Sequence, residues 1–215
     1  MKLIAWNCRG LGNNPAITGL LDIQKREDPD VLFLSETRMI QDRIDWLRWK
    51  LGMPHMVVKD CCGKGGGGGL ALFWKRDVDV KLTGFVSRYH IDTDIMEQDG
   101  YVWRFTGIYG EPKMELKDQT WKLLRTLKNQ NNKPWLCASA FNEVLHSWEK
   151  EGGVTRSQAS MDKFKMALED CELHDLGFIG DVFTWRNHNH NPSDMFTRDL
   201  AELLRHSPGG TDSQV

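Results

Sequence analysis

The stretch that decides the fold runs from Pro134 to Leu145 and reads PWLCASAFNEVL. It opens with a short apolar run, Trp135 to Ala138, which follows a proline and ends in small residues. Such a run is typical of a buried strand. Because successive strand side chains point to opposite faces, Ala140 and Asn142 are expected to point the same way. The stretch therefore predicts a buried strand that presents a small residue and an amide at its carboxyl end.

The composition fits one globular domain with a sizeable core, since the chain has 215 residues, 40% hydrophobic and 27% charged. The formal net charge is −2, so any DNA binding must come from a local basic patch. The sequence contains no apolar run of the roughly 20 residues that a membrane span needs. Five cysteines, an odd number, indicate reduced thiols in an intracellular protein. The nine tryptophans are interpreted as large core residues.

Strand-like and helix-like segments alternate irregularly along the chain, without an internal repeat. The predicted strands are Lys2–Asn7, Val31–Leu34, Met56–Val58, Leu70–Trp74, Val78–Leu82, Tyr89–Ile95, Tyr101–Tyr109 and Phe183–Trp185. Helical spacing of apolar residues predicts four helices, around Ile17–Gln24, Ile44–Leu51, Trp121–Leu127 and Met161–Cys171. Asn14 is the predicted N-cap of the first helix, with Pro15 in its first turn. Composition alone does not choose between two packed sheets and one open sheet.

Short motifs follow one another in a definite order between Lys2 and Trp185. They read W-N-C-R-G, L-S-E-T-R, G-G-L-A-L, Y-G-E-P, A-F-N-E, E-K-E-G-G and D-L-G-F-I-G-D-V-F-T-W. In this order they resemble the endonuclease/exonuclease/phosphatase superfamily, and most closely the endonuclease domain of plant LINE-type retrotransposons. The resemblance implies a four-layered α/β sandwich, in which helices flank two packed mixed sheets. The expected domain covers residues 1–204, and the small, polar residues at the end of the sequence predict a disordered tail over 205–215.

The resemblance assigns a role to each site residue, and each also has a simpler structural explanation. Glu36 and Asn7 match positions that hold Mg²⁺ or Mn²⁺ in the family, but they could be a solvated loop carboxylate and a turn-forming Asn. Tyr109 matches a residue that reaches the substrate phosphate, although a core aromatic residue would look the same. Asn142 matches the amide that helps hold the attacking group. The positions that match DNA contacts are Arg9, Thr184 and Trp185.

Three departures from the family pattern weaken the predicted site. Ala140 stands where the family has the catalytic Asp of G-D-F-N, and loss of a positioned acid or base typically slows a reaction by about 10²–10⁴-fold. Glu143 should not replace it, because its strand parity is opposite to that of Asn142. Asp199 matches the acidic partner of the last His only with a shifted register. Nothing after Asp199 matches the closing S-D-H motif, so the C-terminal strand is expected to be missing and to leave a sheet edge open.

These observations favour a Mg²⁺-dependent DNA endonuclease domain of retrotransposon origin that has weak or no activity. Two alternatives stay open, namely a non-catalytic DNA- or protein-binding remnant, and an active superfamily phosphatase or nuclease with a relocated base. DNA is the expected partner of a monomer that does not bind membranes and that is nuclear if functional. Three other signals have simpler explanations. Gly63–Gly69 with Lys64 lacks the Walker spacing. His188 and His190 could bind adventitious metal but are more typical of a polar loop, and His90 has no obvious partner.

Overall fold

The computed structural model describes residues 1–61, 68–84, 86–177, 179–181, 183, 185–186, 196–197 and 204–206. Within these ranges it contains four α-helices, which are α1 (Asn14–Glu27), α2 (Gln41–Leu51), α3 (Asp118–Lys128) and α4 (Gln158–Asp170). Short 3₁₀ turns cover Met114–Leu116 and Ser147–Glu149. No helix among the described residues is long and apolar enough to cross a bilayer.

The strands form two large sheets and one small sheet. The first sheet has the order β1-β2-β4-β3, with β1 at Leu3–Asn7, β2 at Val31–Ser35, β3 at His55–Lys59 and β4 at Leu70–Trp74. The second has the order β10-β13-β8-β7-β6-β5, with β5 at Asp79–Leu82, β6 at His90–Met96, β7 at Val102–Tyr109, β8 at Trp135–Ala140, β10 at His174–Asp175 and β13 at Leu204–His206. The small sheet joins β9 (Lys150–Glu151), β11 (Trp185–Arg186) and β12 (Phe196–Thr197) in the order β11-β12-β9.

Strand β2 shows how the sequence produces the layers, because all five of its residues are buried. Leu32 and Leu34 pack in one core with residues of α1 and α2. Val31 and Phe33 point the other way, into a core shared by the two large sheets. This alternation is the expected consequence of a two-residue strand period in a sheet covered on both faces.

A third core lies on the far face of the second sheet. It joins the apolar sides of α3 and α4 to β8, with the Trp121 and Phe164 rings stacked 4.7 Å apart. The succession is therefore helices, sheet, sheet, helices. The four-layered α/β sandwich that the resemblance implied is confirmed.

The two sheets approach closely because Gly107 of β7 has no side chain. A Cβ atom there would lie 2.2 Å from Cε2 of Phe33. A buried ion pair stiffens the same sheet, since Arg104 donates from Nε and Nη2 to the two Asp92 carboxylate oxygens at 2.8 and 2.7 Å. Neither residue is more than 3% exposed, so each charge depends on the other for compensation.

The expectation that the C-terminal strand is missing is wrong. A strand does follow Asp199, because β13 pairs antiparallel with β8 through Leu204↔Cys137 and His206↔Trp135. The boundary expected between residues 204 and 205 falls inside this strand. An extended segment needs no motif to satisfy the unpaired backbone groups of a sheet edge, and so the edge of β8 is covered. Residues 207–215 lie outside the described residues.

Smaller corrections have local causes. The side chain of Asn13, not Asn14, caps α1 by accepting from Ala16 N at 2.9 Å. His90 does have a partner, since its Nδ1 lies 2.7 Å from Ser87 Oγ. The interpretation of the tryptophans as core residues is wrong for three of them, because Trp46, Trp49 and Trp148 are 48%, 67% and 50% exposed. Cys8, Cys61, Cys137 and Cys171 are free thiols, as expected.

Candidate active site

The candidate site lies where four parallel-running strand ends meet across the two sheets. Strands β1 and β2 are parallel and end together at Asn7 and Ser35. Strands β7 and β8 are parallel and end together at Tyr109 and Ala140. Because the carboxyl ends of both pairs lie at one edge of the sandwich, residues distant in the sequence converge there.

Glu36 is the acidic centre of the site. Its Oε1 accepts a hydrogen bond from Asn7 Nδ2 at 3.1 Å. Its Oε2 accepts one from Arg38 Nη2, also at 3.1 Å. The backbone fixes this arrangement, because Glu36, Arg38 and Arg9 adopt left-handed conformations with φ values of 53°, 50° and 49°. Such conformations cost about 1–3 kcal/mol in non-glycine residues and cluster at functional sites.

Tyr109 joins the two halves of the site. Its hydroxyl lies near the side chains of Glu36 and Asn142, of which Glu36 raises the Tyr109 pKa and Asn142 lowers it. Burial, followed by the negative charge of Glu36, raises the pKa of Tyr109 to about 12. The phenol is therefore protonated at neutral pH and acts as a hydrogen-bond donor.

Asn142 lies in a turn after the strand, so the alternation of strand side chains does not determine where its side chain points. Strand β8 ends at Ala140, and Asn142 has φ 56° in the turn that follows. Its Nδ2 donates to Gly110 O at 2.8 Å. Gly110 is required there, because a Cβ would lie 2.2 Å from Phe141 O.

Two cations, one buried and one partly exposed, hold this turn. Lys117, which is 4% exposed, donates from Nζ to Phe141 O at 3.2 Å and to Asn142 O. Arg156 Nη2 donates to Asn142 O at 3.2 Å. Burial, opposed by the charge of Glu143 and reinforced by that of Arg156, lowers the pKa of Lys117 to about 8.

Ala140 is 4% exposed and lies in register with Tyr109, so its methyl group is beside the cluster. Glu143 does not take over its position. Its Oε2 accepts from Ser160 Oγ at 2.7 Å, and its Oε1 lies 3.1 Å from Arg156 Nε. The expectation that Glu143 does not substitute agrees with these contacts, but the reason differs, because the strand has ended before Glu143.

The remaining predicted residues are placed unevenly. Arg9 is exposed next to the site, and its backbone N donates to Asn7 Oδ1 at 3.2 Å. Trp185 lies in β11 of the small sheet. Thr184 and Asp199 lie outside the described residues, as do His188 and His190.

Sequence reasoning missed Lys117, Arg156 and Arg38. Arg38 had a local signal, because it stands two residues after Glu36 in L-S-E-T-R. Lys117 and Arg156 had none, since each reaches the Asn142 turn from a different loop, more than ten residues away along the chain.

The donor set suits a hard divalent cation. No group of three or more acidic, His or Cys side chains that could hold a metal occurs within the described residues. The Glu36 carboxylate and the Asn7 amide oxygen are nevertheless ligands that Mg²⁺ accepts, and Mg²⁺ often uses only one or two protein carboxylates. Glu36 and Asn7 are therefore the residues that would hold such an ion.

The fold and this edge of polar strand ends define an α/β sandwich of the nuclease and phosphatase kind. The family model described as Endonuclease/Exonuclease/phosphatase family matches residues 4–195, and the chain belongs to that family. A search of curated protein sequences gave no match.

Solved structures share the fold at low sequence identity. The endonuclease domain of TRAS1, a telomere-specific non-LTR retrotransposon, has 15% identity and a TM-score of 0.66, over 96% of this chain and 84% of that one. The 3′ phosphatase NExo from Neisseria, bound to product DNA hairpin, has 19% identity and a TM-score of 0.68, over 97% and 87%. The AP endonuclease LMAP from Leishmania major has 16% identity and a TM-score of 0.69, over 96% and 79%.

Proposed function

We propose that this chain is a Mg²⁺-dependent phosphodiesterase domain acting on DNA, descended from a plant LINE-type retrotransposon, and that it cleaves slowly. The observation that carries the proposal is the convergence of Asn7, Glu36, Tyr109 and Asn142 at one edge of the sandwich, where Asn7 donates to Glu36 and both Glu36 and Asn142 lie near the Tyr109 hydroxyl. The order of the motifs and the structural likeness to the TRAS1 endonuclease domain support the retroelement origin. Action on chromosomal DNA would place the protein in the nucleus.

The residues divide the work of binding and orienting a phosphodiester. Glu36 and Asn7 hold the cation, which would neutralise charge on the phosphate oxygens. The protonated Tyr109 hydroxyl would be a neutral donor for an oxygen on which charge develops, and so would the second hydrogen of Asn142 Nδ2, whose first is bonded to Gly110 O. Arg38, whose side chain is half exposed, pairs with Glu36 Oε2 at 3.1 Å and offsets part of its charge.

Slow cleavage follows from Ala140. Its methyl group cannot accept a proton from the attacking water, and three carboxylates that could replace it are engaged in other contacts. Glu143 is bound to Ser160 and Arg156. Glu111 accepts from Tyr89 Oη at 2.7 Å, and Glu149 accepts from Leu145 N at 2.7 Å. These contacts disfavour a relocated base within the described residues.

A second candidate function is metal-independent DNA binding without cleavage. The missing carboxylate at Ala140 and the exposed basic side chains Arg9 and Arg38 beside the site favour it. Mg²⁺-dependent cleavage distinguishes the phosphodiesterase from this binding function. A protein that binds DNA only by electrostatic attraction loses affinity as salt rises, but it needs no divalent ion.

Supercoiled plasmid nicking tests the primary proposal. The wild-type chain is expected to nick slowly with Mg²⁺ and not with EDTA. Glu36→Gln should lower the rate at least about tenfold, since it removes the only carboxylate of the cluster. Glu169→Gln, on the exposed end of α4, is the matched control and should nick like wild type. Nicking that survives EDTA, or that Glu36→Gln leaves unchanged, would overturn the proposal.

A further inference from the structure

A second cavity adjoins the Asn142 turn. The chain between the turn and α4 folds back through β9 and encloses about 130 Å³. This volume is about four times the roughly 30 Å³ that one water occupies in the liquid, which is enough for a tetrahedral phosphate group. The polar and glycine residues that line it are Ser147, Lys150, Gly152, Gly153, Thr155 and Arg156.

The cavity offers hydrogen-bond donors that its internal contacts do not exhaust. Lys150 Nζ donates to Val154 O, and an ammonium group has three hydrogens. Arg156 uses Nη2 for Asn142 O at 3.2 Å and Nη1 for Met114 Sδ at 3.1 Å. Each of these nitrogens carries a second hydrogen, and sulfur is a weak acceptor that an anionic oxygen can replace.

Two cations face the cavity. They are Lys150 and Arg156, and Glu143 interacts with both. Two further carboxylates, Glu149 and Glu151, flank Lys150 in the sequence, and Glu149 accepts from Leu145 N. Burial lowers the pKa of Lys150, and the charge of Arg156 lowers it further, as expected when two cations face one space. An anion in the cavity would relieve this repulsion.

The backbone leaves room for such an anion. Gly152 and Gly153 are consecutive residues with φ values of 75° and 62°. Side chains at these two positions would be strained and would reduce access to the backbone. The cavity therefore combines two cations, two hydroxyl residues and a backbone that can be approached closely.

We propose that this cavity binds a phosphate group of the DNA backbone beside the phosphodiester held at Asn142. The identity of the nucleic acid rests on the proposed function. Arg156 links the two positions, because its guanidinium lines the cavity and also contacts the carbonyl of Asn142. The cavity would thus fix the strand on one side of the cleaved bond and set its register.

The test measures binding of a fluorescent DNA duplex by anisotropy in EDTA, between roughly 50 and 200 mM salt. Lys150→Gln should reduce the slope of log affinity against log salt by about 0.9, the value for one lost phosphate contact. It should also weaken binding about tenfold at the lower salt concentration, the low end for a hydrogen bond to a charged group.

Two variants control for folding and for net charge. Lys150→Arg keeps the charge and should retain the wild-type slope. Lys81→Gln removes a lysine from β5, at the opposite edge of the second sheet, and should also leave the slope unchanged. An unchanged slope in Lys150→Gln, or an equal loss in Lys81→Gln, would overturn the proposal.

Chemical shifts distinguish backbone phosphate from free phosphate. The amides of Gly152 and Gly153 should shift when the duplex is added, and inorganic phosphate should shift them only at much higher concentration. A response to inorganic phosphate without one to the duplex would refute the assignment. Since these measurements need neither metal nor cleavage, they can succeed even if Glu36 proves irrelevant to nicking, so the two proposals fail separately.

Discussion

Lys117 carries a positive charge that is almost wholly buried behind the Asn142 turn. Burial lowers the pKa of its ammonium group from 10.5 to about 8. Between these two pH values the unfolded chain binds one more proton than the folded chain, so stability rises with pH. The free energy of unfolding rises by about 1.36 kcal/mol per pH unit, so it should rise by about 3 kcal/mol across the window between pH 8 and pH 10.5.

Replacement of Lys117 by Met removes this pH dependence. At neutral pH the variant loses the donor to Phe141 O, which costs about 1–3 kcal/mol, but it also loses the unfavourable buried charge. We therefore expect Lys117→Met to be within about 1 kcal/mol of wild type at pH 7. Relative to the variant, wild type should gain about 2 kcal/mol by pH 9.5, because about 1.5 units of the window have then been crossed.

Urea denaturation at the two pH values measures the effect. With a slope near 2 kcal/mol per molar urea, the difference between the midpoints of the two proteins should change by about 1 M. Lys122→Met, on the exposed face of α3, is the control and should follow wild type at both pH values. Parallel stability curves for wild type and Lys117→Met would refute the reasoning.

Two further predictions concern the sandwich itself. Gly107→Ala should lower the free energy of unfolding by about 1–3 kcal/mol, because the new methyl group meets the Phe33 ring and forces the sheets apart; unchanged urea stability would contradict the close approach. Asp92→Ala should lower it by about 3–5 kcal/mol by leaving Arg104 buried and unpaired. The double replacement Asp92→Ala with Arg104→Met should recover part of that loss, and a larger loss in the double variant would contradict the pairing.

The sequence predicts most of the regular elements because their signals are local. Leu70–Trp74 has the predicted bounds, and the bounds of β2 and β7 differ by one residue at one end. The side chains of β2 alternate between two cores, and this too can be predicted from the sequence once both faces of the sheet are known to be covered. The pairing of sheets into a sandwich came from the resemblance, since composition left an open sheet possible.

The resemblance to the family named Asn7, Glu36 and Tyr109, and in the structure each lies at or next to the end of a strand. Asn142 was placed for the wrong reason, because its left-handed turn is held by long-range contacts from Lys117 and not by strand parity. Such contacts depend on where α3 packs, which no local pattern encodes.

The exposed tryptophans show that residue type alone can mispredict burial. Apolar character predicted that they would be buried, but Trp49 of α2 packs against Arg48 with the guanidinium carbon 4.9 Å from its ring centre. A cation over the face of an indole is favourable at a surface. Residue type alone does not distinguish this from burial in the core.

The most direct test of the proposal that Ala140 slows cleavage is to introduce a carboxylate at that position. Ala140→Asp places an acid beside Tyr109 in the existing cluster, and its effect is measured by Mg²⁺-dependent plasmid nicking. If the missing acid at position 140 is what slows cleavage, Ala140→Asp should nick about a hundredfold faster than wild type, the low end for a positioned acid or base. Adding Glu36→Gln should return the rate to the wild-type value or below. A folded Ala140→Asp protein that nicks no faster than wild type would contradict the account.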